Sequence, residues 1–109
     1  MEKTPDKPTS VSVMGLRFDV QHPVNVDKEK SYGESKGEER CIKIKKSLEG
    51  EVFEATLMHE IIHSILYASG MAEILESHDD EGKEGKLEEA IVVCLENGLS
   101  QLYARKDWT

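Results

Sequence analysis

A chain of 109 residues, 38% hydrophobic, 6% aromatic and 33% charged, is long enough for one domain and too short to bury two separate cores. Its formal net charge is −8, whereas a nucleic-acid binder carries a basic patch that neutralises phosphates. The densest basic stretch (Lys43, Lys45 and Lys46) is short and has acidic neighbours, so neither nucleic acid nor an anionic membrane is an expected partner.

Residues 1–10 are polar with two prolines and read as a flexible N-terminal arm. They lack the apolar segment of a secretory signal. Residues 11–109 read as a single domain. Within it, Val11, Val13, Leu16, Phe18 and Val20 alternate in strand fashion, with Gly15 at the step between the two halves as a turn or bulge. His22 and Pro23 end that segment. The charged stretch from Asn25 to Arg40 contains Gly33 and Gly37 and reads as a loop or exposed hairpin. Cys41, Ile42 and Ile44 predict a further half-buried strand.

From about Leu48 the period becomes helical. Val52, Phe53, Ala55, Leu57, Met58, Ile61, Ile62, Ile65, Leu66, Tyr67 and Ala68 nearly encircle the predicted helix, which marks it as a buried central element, and Gly70 supplies a C-terminal stop. This apolar stretch also contains His59, Glu60 and His63, so it is not a membrane span. Residues 76–86 are charged and solvated. A second helix is expected from about Leu87 to Arg105, with Ile91, Leu95, Leu99 and Leu102 at helical spacing, and Cys94 on that stripe as a small core residue. The two cysteines, Cys41 and Cys94, lie far apart and form no C-x-x-C pair. They fit a reducing compartment at least as well as a disulfide, and a cytoplasmic location is expected.

His59, Glu60 and His63 form an H-E-x-x-H motif. Positions i and i+4 lie one turn apart on the same helix face, so both imidazoles can reach one ion. Glu60 is offset from His59 by about 100° around the helix, beside that ion, where it can accept a proton from zinc-bound water. A catalytic zinc (Zn2+) takes three protein ligands and leaves its fourth position to water. The motif arises by chance in about one of several hundred chains this long. Unpaired histidines and a glutamate in an apolar helix cost several kcal/mol, and a shared cation offsets that cost, so a metal site is the better reading.

A third ligand must come from elsewhere. The glycine and histidine that extend the motif in metzincins are replaced by Leu66 and Ser69, which excludes that class. His78, Glu88 and Glu89 remain. Helical projection puts Glu88 near the middle of the stripe formed by Ile91, Val92, Leu95, Leu99 and Leu102, and Glu89 at its edge. Tyr67, Tyr103 and His78 are candidate donors to a developing oxyanion.

Thr56, Leu57, His59, Glu60 and His63, followed by Glu88-Glu89-Ala90 and Asn97-Gly98-Leu99, resemble small phage and prophage metallopeptidase-like proteins, minimal gluzincins distantly similar to the ImmA/IrrE type. The resemblance covers roughly residues 40–106. It implies His59 and His63 as zinc ligands, Glu60 as catalytic base and Glu89, three residues before Val92, as third ligand. The stretch from Glu76 to Lys86 is longer than the loop such proteins carry between the two helices.

The expected fold is therefore α+β and zincin-like: a small antiparallel sheet packed on the H-E-x-x-H helix, with a second, C-terminal helix bringing its carboxylate to the metal. The expected function is zinc-dependent hydrolysis of a peptide bond, with a protein or peptide as substrate. The alternative is a catalytically inactive, zinc-stabilised interaction module acting in phage assembly or host takeover.

Overall fold

The computed structural model describes residues 7–24, 32–78 and 85–105, the last six as backbone. The first apolar segment folds back on itself at Met14 and Gly15, whose φ angles are 50° and 83°. Two successive positive φ values make the tight turn whose twist matches a hairpin. β1 (Ser10–Val13) and β2 (Leu16–Gln21) thus pair antiparallel, with Val11 opposite Phe18. β3 (Gly33–Lys36) pairs antiparallel with β4 (Cys41–Ile44), and β4 runs parallel to β2, giving the order β1-β2-β4-β3. The class is α+β as expected, but the sheet is mixed rather than wholly antiparallel. Instead of turning straight back beside β2, the chain passes through β3 first and returns in β2's own direction.

Three helices follow: α1 (Gly50–Ala68), α2 (Met71–Ser77) and α3 (Lys86–Arg105). Gly70, at φ 84°, ends the α1 segment in the left-handed conformation that glycine tolerates best. α2 was not expected from the sequence. The core lies between one face of the sheet and one stripe of α1. Val13, Phe18, Val20, Ile42, Ile44 and Phe53 are buried together, with Leu57, Ile61 and Ala68 packed against them. Each such side chain contributes roughly 1.5–3 kcal/mol on leaving water.

α1 is not enclosed on all sides as its composition predicted. Val52, Ile65 and Tyr67 are exposed, because the helix has the sheet on one flank and α2 and α3 on another, with solvent on the remainder. α3 departs further from its predicted stripe. Val92 is fully buried, but Leu95 and Leu99 are 45% and 38% exposed. Cys94 is exposed too, so its reading as a core residue is wrong; Cys41 is buried, and both thiols are free.

Of the predicted N-terminal arm, residues 1–6 lie outside the described residues, and Lys7 is anchored. Its ammonium donates to the Lys46 and Leu48 carbonyls, pairs with Glu49 at 3.2 Å and sits 5.0 Å from the centroid of the Phe53 ring. No described helix is long and apolar enough to cross a membrane.

Candidate metal centre

The stripe of α1 that packs on the sheet runs through Phe53, Leu57, Ile61, Ser64 and Ala68, and this fixes where the motif points. His59 and His63, on a neighbouring stripe, face α3, and their ring centroids are 5.1 Å apart. Ser64, fully buried, locks the helix to the edge strand: its hydroxyl donates to the Glu60 carbonyl at 3.0 Å and lies 2.8 Å from the Ser35 hydroxyl. Gly33 allows β3 to lie this close. A Cβ there would sit 2.9 Å from the Lys43 carbonyl oxygen and 3.0 Å from the Thr56 methyl. Between β3, α1 and α3 opens a cleft of about 550 Å³, lined by both histidines and by Glu34, Glu60, Glu88, Glu89 and Glu96, among others.

The two imidazoles are held in matching fashion. The Nε2 atoms of His59 and His63 lie 3.1 Å and 2.8 Å from one oxygen, Oε1 of Glu89. Their Nδ1 atoms are taken by two further carboxylates, Glu96 at 2.8 Å from His59 and Glu88 at 2.5 Å from His63. An ionised carboxylate only accepts, so each Nδ1 carries the donated proton. In a neutral imidazole that leaves a lone pair on each Nε2, aimed at the lone pairs of Glu89. Such an arrangement is repulsive unless the rings take up extra protons or a cation lies among the three atoms.

The donor set fits a metal. His59, His63 and Glu89 each offer one ligand atom, all within 4.8 Å of one another, and the group could hold a metal ion. Tetrahedral zinc with bonds of about 2.0–2.1 Å spaces its ligand atoms by roughly 3.3 Å, close to the observed 3.1 and 2.8 Å. Glu96 and Glu88 stand where outer carboxylates fix the tautomer and raise the basicity of metal-binding histidines.

Of the three sources considered for a third ligand, the structure brings Glu89 to both Nε2 atoms. Glu88, favoured by projection, instead grips the far side of the His63 ring. His78 is exposed at the end of α2 and is not among the cleft-lining residues. Projection failed because it turned the apolar stripe of α3 inward. The face that meets α1 carries Glu89, Val92 and Glu96 at i, i+3 and i+7. That spacing was the available signal for Glu96, which sequence reasoning gave no role.

Glu60 is buried, only 6% exposed. Burial pushes its carboxyl up to about 7 against the pull of His63 and His59, with Glu89 and Glu34 raising it further. For His59, burial lowers the imidazole, but the Glu96 hydrogen bond and the charges of Glu89 and Glu60 outweigh it and the net shift is upward. Both shifts describe a crowd of carboxylates sharing protons, the state a cation would relieve.

Among the oxyanion donors expected from the sequence, Tyr67 lies one turn beyond His63 and packs against Gly37, and neither it nor His78 is among the cleft-lining residues. The Tyr103 side chain lies outside what is described. Among the described residues, the tyrosine that lines the cleft is Tyr32. Thr56 and Ser35 also line it, but their hydroxyls are engaged by the Val52 carbonyl and by Ser64.

No family model, curated protein or solved structure matches the chain.

Proposed function

We propose that this protein is a zinc-dependent peptidase of the gluzincin kind, with His59, His63 and Glu89 as metal ligands and Glu60 as general base. The observation that carries the reading is a convergence: two Nε2 atoms and one carboxylate oxygen come together while both Nδ1 atoms are tied back to carboxylates. Bound there, zinc would supply a Lewis acid for the scissile carbonyl. Glu60 takes a proton from the attacking water and returns it to the leaving nitrogen as the carbon–nitrogen bond breaks. A neighbouring cation favours the ionised carboxylate, so Glu60 is available as a base at neutral pH. The Tyr32 hydroxyl is the donor for the developing oxyanion.

A peptide suits the open side of β3. The Lys45 amide bonds the Tyr32 carbonyl, and the register pairs Glu34 with Lys43 and Lys36 with Cys41. In an antiparallel ladder, alternate residues turn their backbone groups to the same side, so Tyr32, Glu34 and Lys36 face β4. Gly33 and Ser35 therefore turn their amides and carbonyls outward along the cleft edge, where an extended chain can add a strand. The protein loaded with zinc is expected to cleave members of a mixed peptide library, read by mass spectrometry, and Glu60→Gln is expected to keep its zinc and lose cleavage. Cleavage that survives Glu60→Gln would refute the mechanism. Stoichiometric zinc without cleavage by either protein would favour an inactive, zinc-stabilised interaction module.

A further inference from the structure

Of the five glutamates lining the cleft, three are engaged with imidazole nitrogens and one is the proposed base. Glu34, midway along the edge strand, has no such task. Its Oε1 is buried and has no hydrogen-bond partner, although a buried acceptor without a donor costs about 1–3 kcal/mol, and more when it is charged. Among the described residues, none that lines the cleft is a lysine or arginine. Even a divalent cation would leave the cleft with an excess of negative charge when its carboxylates are ionised, and a concave site concentrates that field.

We propose that Glu34 sets substrate specificity by receiving a cationic group of the peptide, a lysine or arginine side chain or a free N-terminal ammonium. This rests on the peptidase reading above and names the class of peptide it takes. The register supplies the geometry. With Gly33 and Ser35 bonding outward to an added antiparallel strand, Glu34 occupies a position that does not bond to that strand, where facing Cα atoms come within about 4.5 Å and side chains are closest. Opposite side chains on one sheet face touch, so Glu34, which has Lys43 opposite it on the β4 side, meets a basic residue, or the amine of a chain that starts there, on its open side. The charge-assisted hydrogen bond so formed gives the Glu34 carboxylate a cationic partner.

The test is binding by fluorescence anisotropy to the full-length, zinc-loaded Glu60→Gln protein, in which peptides are not consumed. The probes are labelled ten-residue peptides matched except for charge: acetylated with one central lysine, leucine in place of the lysine with a free terminal amine, and acetylated with leucine in place of the lysine. At least one of the two cationic probes is expected to bind about tenfold tighter than the acetylated leucine peptide, a difference of about 1.4 kcal/mol, and which one it is identifies the source of the charge. Adding Glu34→Gln is expected to bring that ratio below about twofold, with zinc content unchanged and the melting temperature no lower. Glu34→Asp, which keeps the charge on a shorter arm, should retain part of the preference. A ratio below twofold without any change at Glu34, a ratio that survives Glu34→Gln, or no binding of either cationic probe would overturn the proposal. Zinc-dependent cleavage without charge preference would sink this inference alone. Charge preference in binding, with no cleavage by the native protein, would sink the peptidase reading and leave Glu34 its role.

Discussion

Glu96→Ala removes the acceptor that holds His59 Nδ1 at 2.8 Å, and Glu96→Gln removes only its charge. The two changes separate orientation from electrostatics. The side chains of His59 and Glu96 are each 20% exposed, so solvent screens the bond little. A hydrogen bond to a charged group contributes about 1.5–3 kcal/mol and a neutral one about 0.5–1.5 kcal/mol. The charge alone therefore accounts for about 1 kcal/mol, several-fold to tenfold in zinc affinity. Loss of the whole contact should approach the ~100-fold upper range for outer carboxylates on metal-binding histidines. The measurement is competitive zinc titration against a chromogenic chelator at fixed pH, with Glu54→Gln, an exposed change on α1, as the control for net charge. The expected order is wild type and Glu54→Gln together, then Glu96→Gln, then Glu96→Ala. A Glu96→Ala protein that folds and binds zinc within twofold of wild type would show that the tied-back imidazole has nothing to do with metal.

Two further outcomes follow from the same site. In chelator, the folded protein binds more protons than the unfolded chain, because Glu60 is raised from 4.5 to about 7 and His59 is raised as well. Stability must then fall as pH rises. The Glu60 part is present in full below about 4.5 and is lost as pH climbs to about 7; the His59 part is present below its ordinary 6.5 and is lost through its higher folded value. Both have the same sign. Glu60 contributes on the order of 3 kcal/mol, so denaturant melts of the metal-free protein should weaken across pH 4.5–7 and Glu60→Gln should flatten most of that slope; stability that climbs over this interval would contradict the burial argument. Tyr32→Phe should leave zinc affinity intact and lower kcat by roughly 100-fold, the size of one lost oxyanion donor. An unchanged kcat would remove Tyr32 from the mechanism.

The parts of the site legible in the sequence are those that one helix sets by itself. His59, Glu60 and His63 follow from a five-residue spacing, and the sheet-facing stripe of α1 keeps them turned toward α3. Glu89 was reached through resemblance, against the projection. Apolar spacing on α3 pointed to Leu95 and Leu99, yet the helix turns Glu89 and Glu96 inward because two imidazoles there offer carboxylates better partners than a sheet would. In sequence, β3 has the character of a loop or hairpin because Gly33, Glu34, Ser35 and Lys36 include no apolar side chain. As an edge strand it has only one neighbour to satisfy, and its contact with α1 is made by a missing Cβ and a serine pair. The parallel pairing of β2 and β4 follows from β3 intervening between them in the chain, which no local pattern encodes.

Zinc content of the purified protein bears on all of this most directly. Elemental analysis after zinc loading and desalting should give one zinc per chain for the native sequence, and close to none for His63→Ala or Glu89→Ala with the fold retained by circular dichroism. A native protein that emerges without metal, its two imidazoles instead protonated and salt-bridged to Glu88, Glu89 and Glu96, would contradict the account at its root.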